Sequence, residues 1–392
     1  TGAQVTLVEP NEKLGRKLYI TGKGRCNLTN NTTPQGVLDH VPRNGRFLYS
    51  AVTRFPPAAV MAYFEELGVP LKTERGGRVF PCSDRAADVI DALFFHMKKL
   101  NIPVTQARAS QICLEEGRVS GVETDCGPLP AGAVVIATGG LSYPATGSTG
   151  DGYWLAEEAG HTIVSPRPSL VPLEEKGDTC AQMQGLSLKN VTLTLKNQKN
   201  KAVFQEQGEM LFTHFGLSGP LVLSASAHAN WAKDTYTAVI DLKPALDETR
   251  LEARILRDVA QGPNKAFHNF LEGLLPRKMV PVMAQRAEIP PDLPVNAMTR
   301  GQRRRLMEAM KAFAVPIAGP RPVKEAIITA GGVKTGEVDP GTMMSKKAPG
   351  LFFAGEVLDV DGYTGGFNLQ IAWCTGRAAG IGAARYIEEE GL

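Results

Sequence analysis

The spacing of apolar and polar residues changes period several times along the chain, and each change marks an element. Val5–Glu9 (VTLVE) is a short apolar run that ends in an acid behind a small-residue turn, the pattern of a buried parallel strand fed by a preceding helix. Asn11–Asn31 is rich in Gly, Asn and Thr; its composition predicts a loop and its length a functional one. Pro56–Leu67 opens on proline and places Val60, Met61, Phe64 and Leu67 at helical spacing. A second helix is expected from Ser83 and Asp84, as caps, to Leu100. Val104–Gly140 switches to alternating runs broken at Glu115–Gly117 and Asp125–Pro130, the signature of antiparallel hairpins. Its last run, Ala133–Gly140 (AVVIATGG), reads as a buried strand stopped by two glycines.

Ser165–Pro172 carries three prolines and predicts a domain exit. Leu186–Lys196 and Ala202–Phe212 alternate like strands, so that Ser165 to about Leu242 reads as a small β unit. Asp247–Phe313 is charged and helix-prone, and its basic cluster Arg300, Arg303, Arg304 and Arg305 reads as a solvated helix face. After Pro322 the chain turns Gly-rich and apolar in Ala326–Val333 and Gly350–Trp373. A terminal helix follows, on which Ala372, Gly376, Gly380 and Ala384 form a face nearly bare of side chains, suited to close approach.

Composition excludes several classes. Of 392 residues, 43% are apolar and 21% charged, which is ordinary for a globular chain of two or three domains. A net charge of +3 lacks the basic footprint of a dedicated nucleic-acid binder. Six cysteines stand singly, so neither a CxxC redox pair nor a zinc-ligand spacing is present, no metal is expected, and a reducing, cytoplasmic setting is the simplest reading. Met210–Ala232 lacks acids, Lys and Arg, but His214, His228, Asn230 and Pro220 argue against a membrane span. The start TGAQVTLVEP shows no secretory pattern.

Three separated segments put glycines beside hydrogen-bonding groups at strand ends or helix starts: Gly22–Asn27 (GKGRCN), Ala137–Gly140 (ATGG) and Ala354–Asn368 (AGEVLD through GYTGGFN). Free N–H groups and a helix dipole meet electron-rich ligand atoms at such places in an open parallel sheet. Glu9, an acid closing a strand, fits the ribose ligand of a dinucleotide fold. Counting back about 20 residues places its GxGxxG turn before residue 1, so that turn and its strand are expected to be absent from this chain.

The strings KLGRKLYITGKGRCNLTNN, GRVFPCSDRAADV, VVIATGGLSYPATGSTGDGY, MLFTHFGLSGP and ITAGGVKTGEVDPGTMMSKKAPGLFFAGEVLDVDGYTGGFNLQIAWCTGRAAG resemble the bacterial BaiN-like or YhiN-like flavoproteins, also called aminoacetone-oxidase-like oxidoreductases. A more distant likeness is to the fumarate reductase flavoprotein class. The resemblance implies an α/β fold: a Rossmann-like FAD domain of the glutathione-reductase type in two parts, residues 1–164 and 322–392. A β-barrel-like domain (165–246) and a helical subdomain (247–321) are inserted between them.

The resemblance further implies that Glu9 binds the adenosine ribose. Arg16, Lys17, Gly24, Arg25, Cys26 and Asn27 would lie over the pyrophosphate and flavin, and Ala109 near the adenine. Ala137, Thr138, Gly139 and Gly140 would pass close to the cofactor, Gly355, Glu356 and Asp359 would line its ribityl side, and Gly365, Gly366, Phe367, Asn368 and Leu369 would present a helix start to the flavin. Arg25, Asn27 and His214 are the candidate catalytic groups. Cys26, beside Arg25, is weighed for a lowered pKa, while Tyr143 and Tyr363 could wall the substrate cavity. The implied activity is FAD-dependent hydride transfer through flavin N5 to or from a small organic substrate, an amine or an enone, with NAD(P)H or oxygen as redox partner. The competing reading is a flavin-free binding or regulatory protein, possibly RNA-binding through the Arg300–Arg305 segment; a tRNA-modifying flavoprotein is a third.

Overall fold

In a computed structural model describing residues 2–392, the opening apolar run forms strand β1 (Leu7–Val8), which pairs in parallel with β5 (Val104–Thr105). The strand is parallel as expected but is not buried: Val5 is 54% exposed, and Leu7 and Val8 are half-buried. The stretch expected as a loop contains a helix, Arg16–Ile20, and the short strand β2 (Thr29–Asn30). Its glycines and asparagines flank a five-residue apolar and basic run that is long enough to wind one turn. Strand β2 pairs with β4 (Arg78–Pro81), which also pairs with β3 (Leu71–Glu74).

The predicted helices form at Pro57–Glu66 and Ala86–Lys99. The second starts after Arg85, without a side-chain cap, so Ser83 and Asp84 do not cap it. The hairpins form as β6 (Ala109–Glu115), β7 (Arg118–Thr124) and β8 (Leu129–Pro130), all antiparallel. Then β9 (Val134–Ile136) leaves the antiparallel pattern and pairs in parallel with a strand more than two hundred residues later.

The chain divides into two compact units, residues up to Ser169 together with those from Pro322, and Leu170–Arg321. Within the first, the Pro-bearing stretch is strand β10 (Ile163–Ser169). In the second, β11 (Leu173–Glu175), β12 (Ser187–Asn197), β13 (Ala202–Phe212), β14 (Gly216–Ser218), β15 (Tyr236–Asp241) and β16 (Phe313–Pro320) close a barrel in the order β11-β14-β13-β12-β15-β16. Inward residues alternate along it, as in the buried Leu193 and Leu195 of β12 and Ala238 and Ile240 of β15. Helices such as Glu248–Gln261 and Arg300–Lys311 belong to the same unit. The arginine cluster is a largely solvated helix face: Arg303 pairs with Glu252, Arg304 with Glu308 and Arg305 with Glu288.

Back in the first unit, β17 (Ile328–Val333) pairs antiparallel with β10, and β18 (Leu351–Phe353) lies parallel to β9. The terminal helix, Phe367–Glu390, buries Phe367, Gln370, Ile371, Cys374, Thr375, Ala378, Ala379 and Gly382. The small-residue face predicted to allow close approach points elsewhere: nothing lies within 4 Å of where a Cβ would stand on Gly376 or Gly380. The close approach falls instead on the buried stripe, where a Cβ on Gly382 would stand 2.5 Å from the Thr342 carbonyl oxygen. Among the described residues no helix is long and apolar enough to cross a membrane.

One buried polar cluster ties the first unit together. His161 Nε2 lies 2.7 Å from Ser345 Oγ, and Nδ1 lies 3.5 Å from Glu337 Oε2. The order resembles a hydrolytic triad, but Ser345 is 3% exposed and already accepts the Lys347 and Ala348 amides, so no substrate can reach it. The cluster has a pH signature. Burial holds the His161 pKa below its usual 6.5. Burial works against ionised Glu337 but is outweighed by hydrogen bonds from Thr162 and Lys347, which hold its pKa down to about 2 against the usual 4.5. Both shifts are depressions, so both contributions are complete above the unfolded pKa and are lost as pH falls through the folded one. The urea midpoint is therefore expected to be lower at about pH 5.5 than at about pH 7.5, and this difference should shrink in His161→Asn.

Candidate active site

Two of the three expected segments meet at the carboxyl ends of β9 and β18, parallel neighbours that lead into Ala137–Gly140 and Ala354–Glu356 respectively, while Gly22–Asn27 reaches the third segment's far end through Asn27 and Gly366. The ammonium of Lys17, on the first short helix, donates to Glu356 Oε2 at 2.6 Å and to Ser142 Oγ at 2.8 Å. Glu356 Oε1 accepts from the Thr329 amide at 2.8 Å and from Ser142 Oγ at 3.1 Å. The Thr329 hydroxyl in turn accepts the Leu141 and Ser142 amides. Gly140 is buried because this network leaves no room: a Cβ there would lie 2.5 Å from Thr329 Oγ1 and 2.8 Å from Glu356 Oε1. Ala137 and Thr138 are exposed, and Gly139 needs a φ of 79°.

A second knot holds the start of the terminal helix. Gly365 and Gly366 have φ of 114° and 100°, and a Cβ on Gly366 would sit inside the Thr29 carbonyl. Thr29 Oγ1 donates to Gln370 Oε1 at 2.6 Å, and Asn30 donates to the Gly365 carbonyl at 3.0 Å. With its amide turned to suit its neighbours, Asn27 accepts the Gly366 N–H at 3.0 Å and donates to the Val79 and Thr29 carbonyls. Asn368 braces the preceding loop, accepting the Gly362 amide at 2.7 Å and donating to its carbonyl at 2.8 Å. Phe367 stacks on His40 with centroids 4.2 Å apart, and Leu369 packs against the core around Leu28.

Several candidates have other engagements. Arg25 is held by Glu74 and Asp84 and lies over the Phe80 ring at 4.1 Å; the hydrogen bonds it donates to both acids raise its pKa. It is therefore a structural cation, and Asn27 holds a backbone. Cys26 is fully buried at a φ of 58°, and burial pushes its thiol up to about 12, opposite to the lowering that Arg25 suggested. His214, in the second unit, is exposed, with its ring edge-on to Phe215 at 5.0 Å. It is not packed under its turn. Gly24 has φ 83° and open space around it, and Ala109 pairs with Thr124 in β6. Glu9 accepts from Asn11, whose side-chain oxygen accepts from Arg16 at 2.6 Å.

Ser142, Thr329 and Asp361 were not read from the sequence. Asp361 is fully buried, bound through both oxygens by Arg43 at 2.8 and 3.0 Å and by Ser169 Oγ at 2.6 Å, whereas the chosen Asp359 is only half-buried. Its apolar neighbour Val360 and Gly362 were the available signal. Ser142, between Leu141 and Tyr143, and Thr329, between Ile328 and Ala330, carried none.

This geometry gives a carboxylate and an ammonium at the ends of parallel strands and a glycine-started helix beside them. It fits an extended cofactor with hydroxyl and phosphate groups. The description "HI0933-like protein Rossmann domain" matches residues 1–382. The chain belongs to the HI0933-like family. It is accordingly a Rossmann-type, FAD-dependent oxidoreductase, and the flavin-free reading is not favoured. This HI0933-like chain is 32% identical over 389 residues to the 3-dehydro-bile acid delta(4,6)-reductase of Clostridium scindens, covering 97% of itself and 93% of the relative. It is 33% identical over 374 residues to the ribosomal RNA dihydrouridine synthase of Escherichia coli, covering 95% and 90%. A solved structure of Aquifex aeolicus GidA aligns at a TM-score of 0.38 and 13% identity, over 99% of this chain and 62% of that one, too distant a likeness to carry an argument.

Proposed function

We propose that this HI0933-like protein reduces a carbon–carbon double bond conjugated to a carbonyl, in a small organic substrate, with electrons from NAD(P)H. The observation that carries the reading is that two relatives of 32% and 33% identity, matched over nearly the whole chain, have names that denote the same change, saturation of such a double bond, on different molecules. Bound FAD supplies a two-electron carrier able to take up and give a hydride at N5.

The protein's own groups then have separable tasks. Lys17 and Glu356 would hold the polar chain of the cofactor, with Ser142 and Thr329 fixing the carboxylate. By this reading the start of the terminal helix would present the positive end of a 24-residue helix to the flavin, where negative charge grows on reduction. Asn27, Asn30 and Thr29 keep that helix end in place.

The test is anaerobic. The flavin is bleached with NADPH or NADH, and a 3-oxo-Δ4 steroid is added. Return of the flavin colour together with recovery of the saturated ketone is expected. No recolouring by the enone, combined with bleaching by a small amine alone, would replace this reading with amine oxidation. The name of the E. coli relative favours a second reading, uracil in RNA as the double bond; recolouring by RNA and not by the steroid would select it.

A further inference from the structure

Tyr153 lies near the start of helix Asp151–Glu158, where a Cβ on Gly152 would collide with Thr138 and stand 3.0 Å from Ile136 and Val357. Its ring is 7% exposed and belongs to the main core of the first unit. Its hydroxyl, however, is buried without a well-formed hydrogen bond, and Thr329 is the side chain within reach of one. The polar groups that act on it are Glu356, Thr329 and Asp359. Each has other partners: Glu356 has Lys17, Ser142 and the Thr329 amide; Thr329 Oγ1 has two amides; Asp359 Oδ2 accepts from Asn44 at 3.0 Å.

A buried hydroxyl left unpaired is a standing cost that phenylalanine at the same position would avoid. Burial, and next the nearby Glu356 charge, push the phenol well above its usual pKa, so it is a neutral group with a proton to donate. It stands near Glu356 and Asp359, the two carboxylates that the cofactor reading assigns to the ribityl side.

We infer that Tyr153 is a positioning residue of the FAD site, whose hydroxyl gains its hydrogen bond only when the cofactor joins the Lys17–Ser142–Thr329–Glu356 network. This rests on the reading that Glu356 meets the cofactor. The hydroxyl orients that carboxylate or shares its cofactor oxygen, and takes no part in hydride transfer. Without FAD it is a penalty, and with FAD it is a contact.

The experiment uses the full-length protein, stripped of flavin and titrated with FAD by fluorescence quenching, as wild type and Tyr153→Phe. The flavin-free variant is expected to melt no lower than wild type, while its FAD Kd rises about threefold to tenfold. A Kd within about twofold of wild type overturns the inference, and a lower flavin-free Tm with an unchanged Kd shows a structural tyrosine instead. Should the variant not fold, wild type carrying 13Cζ-labelled tyrosine decides: a buried tyrosine resonance that moves on FAD addition supports the inference, and none moving overturns it. Wild type that takes up no FAD overturns the cofactor reading as well, whereas uptake with an indifferent Tyr153→Phe overturns only the role of Tyr153.

Discussion

Gly366→Ala is expected to lose about 2–5 kcal/mol of folding stability and to come off a purification column nearly free of flavin. Two costs add at this position. Alanine at a φ of 100° leaves the region that L-residues tolerate, and its methyl would occupy the space of the Thr29 carbonyl. Neither can relax cheaply, because Asn27 binds the Gly366 amide and Thr29 is hydrogen-bonded to Gln370. Urea unfolding and the ratio of flavin to protein absorbance check the two parts separately. Gly376→Ala, on the same helix with open space around it, is the control and should be neutral or slightly stabilising.

Glu356→Gln is the second large effect. The amide keeps an oxygen for the Thr329 amide and Ser142, but its NH2 group must then face the Lys17 ammonium, which retains only Ser142. Glu356 and Lys17 are 13% and 25% exposed, so the loss falls below that of a fully buried pair, at about 1–3 kcal/mol. If Glu356 meets the cofactor as proposed, FAD would lose a charged acceptor as well, and its Kd should rise about tenfold to a hundredfold. If titration shows an unchanged Kd, Glu356 is a purely structural anion and the proposed ribityl contact is wrong.

What the sequence made legible were positions where chemistry restricts the residue type. Gly-Gly before FNLQ and the acid after FFAG both stand where a backbone or a charge leaves little choice; the structure seats the first against Thr29 and brings the second to Lys17, each across more than three hundred residues. The alternation of the barrel strands was readable for the same reason: one face of each is buried. Assignments failed where local composition competed with packing. The resemblance set Arg25 over the cofactor, but its partners Glu74 and Asp84 lie far along the chain and give no local signal. Cys26 followed the same error. The terminal helix has two candidate stripes, and only the position of the sheet decides which is inward.

The second unit begins and ends on neighbouring strands: Leu173 pairs with Pro320, and the Arg321 amide donates to the Pro172 carbonyl. During synthesis it is complete before the last seventy-odd residues of the first unit emerge. Once folded, it acts as a clip, converting a separation of about 150 residues between Ser169 and Pro322 into the reach of a tight turn. The entropic cost of closing the first unit is then met before its final strands arrive, and stays almost constant however long the inserted segment grows. A lineage could lengthen, trim or exchange that segment while leaving the folding rate of the cofactor-binding unit nearly untouched.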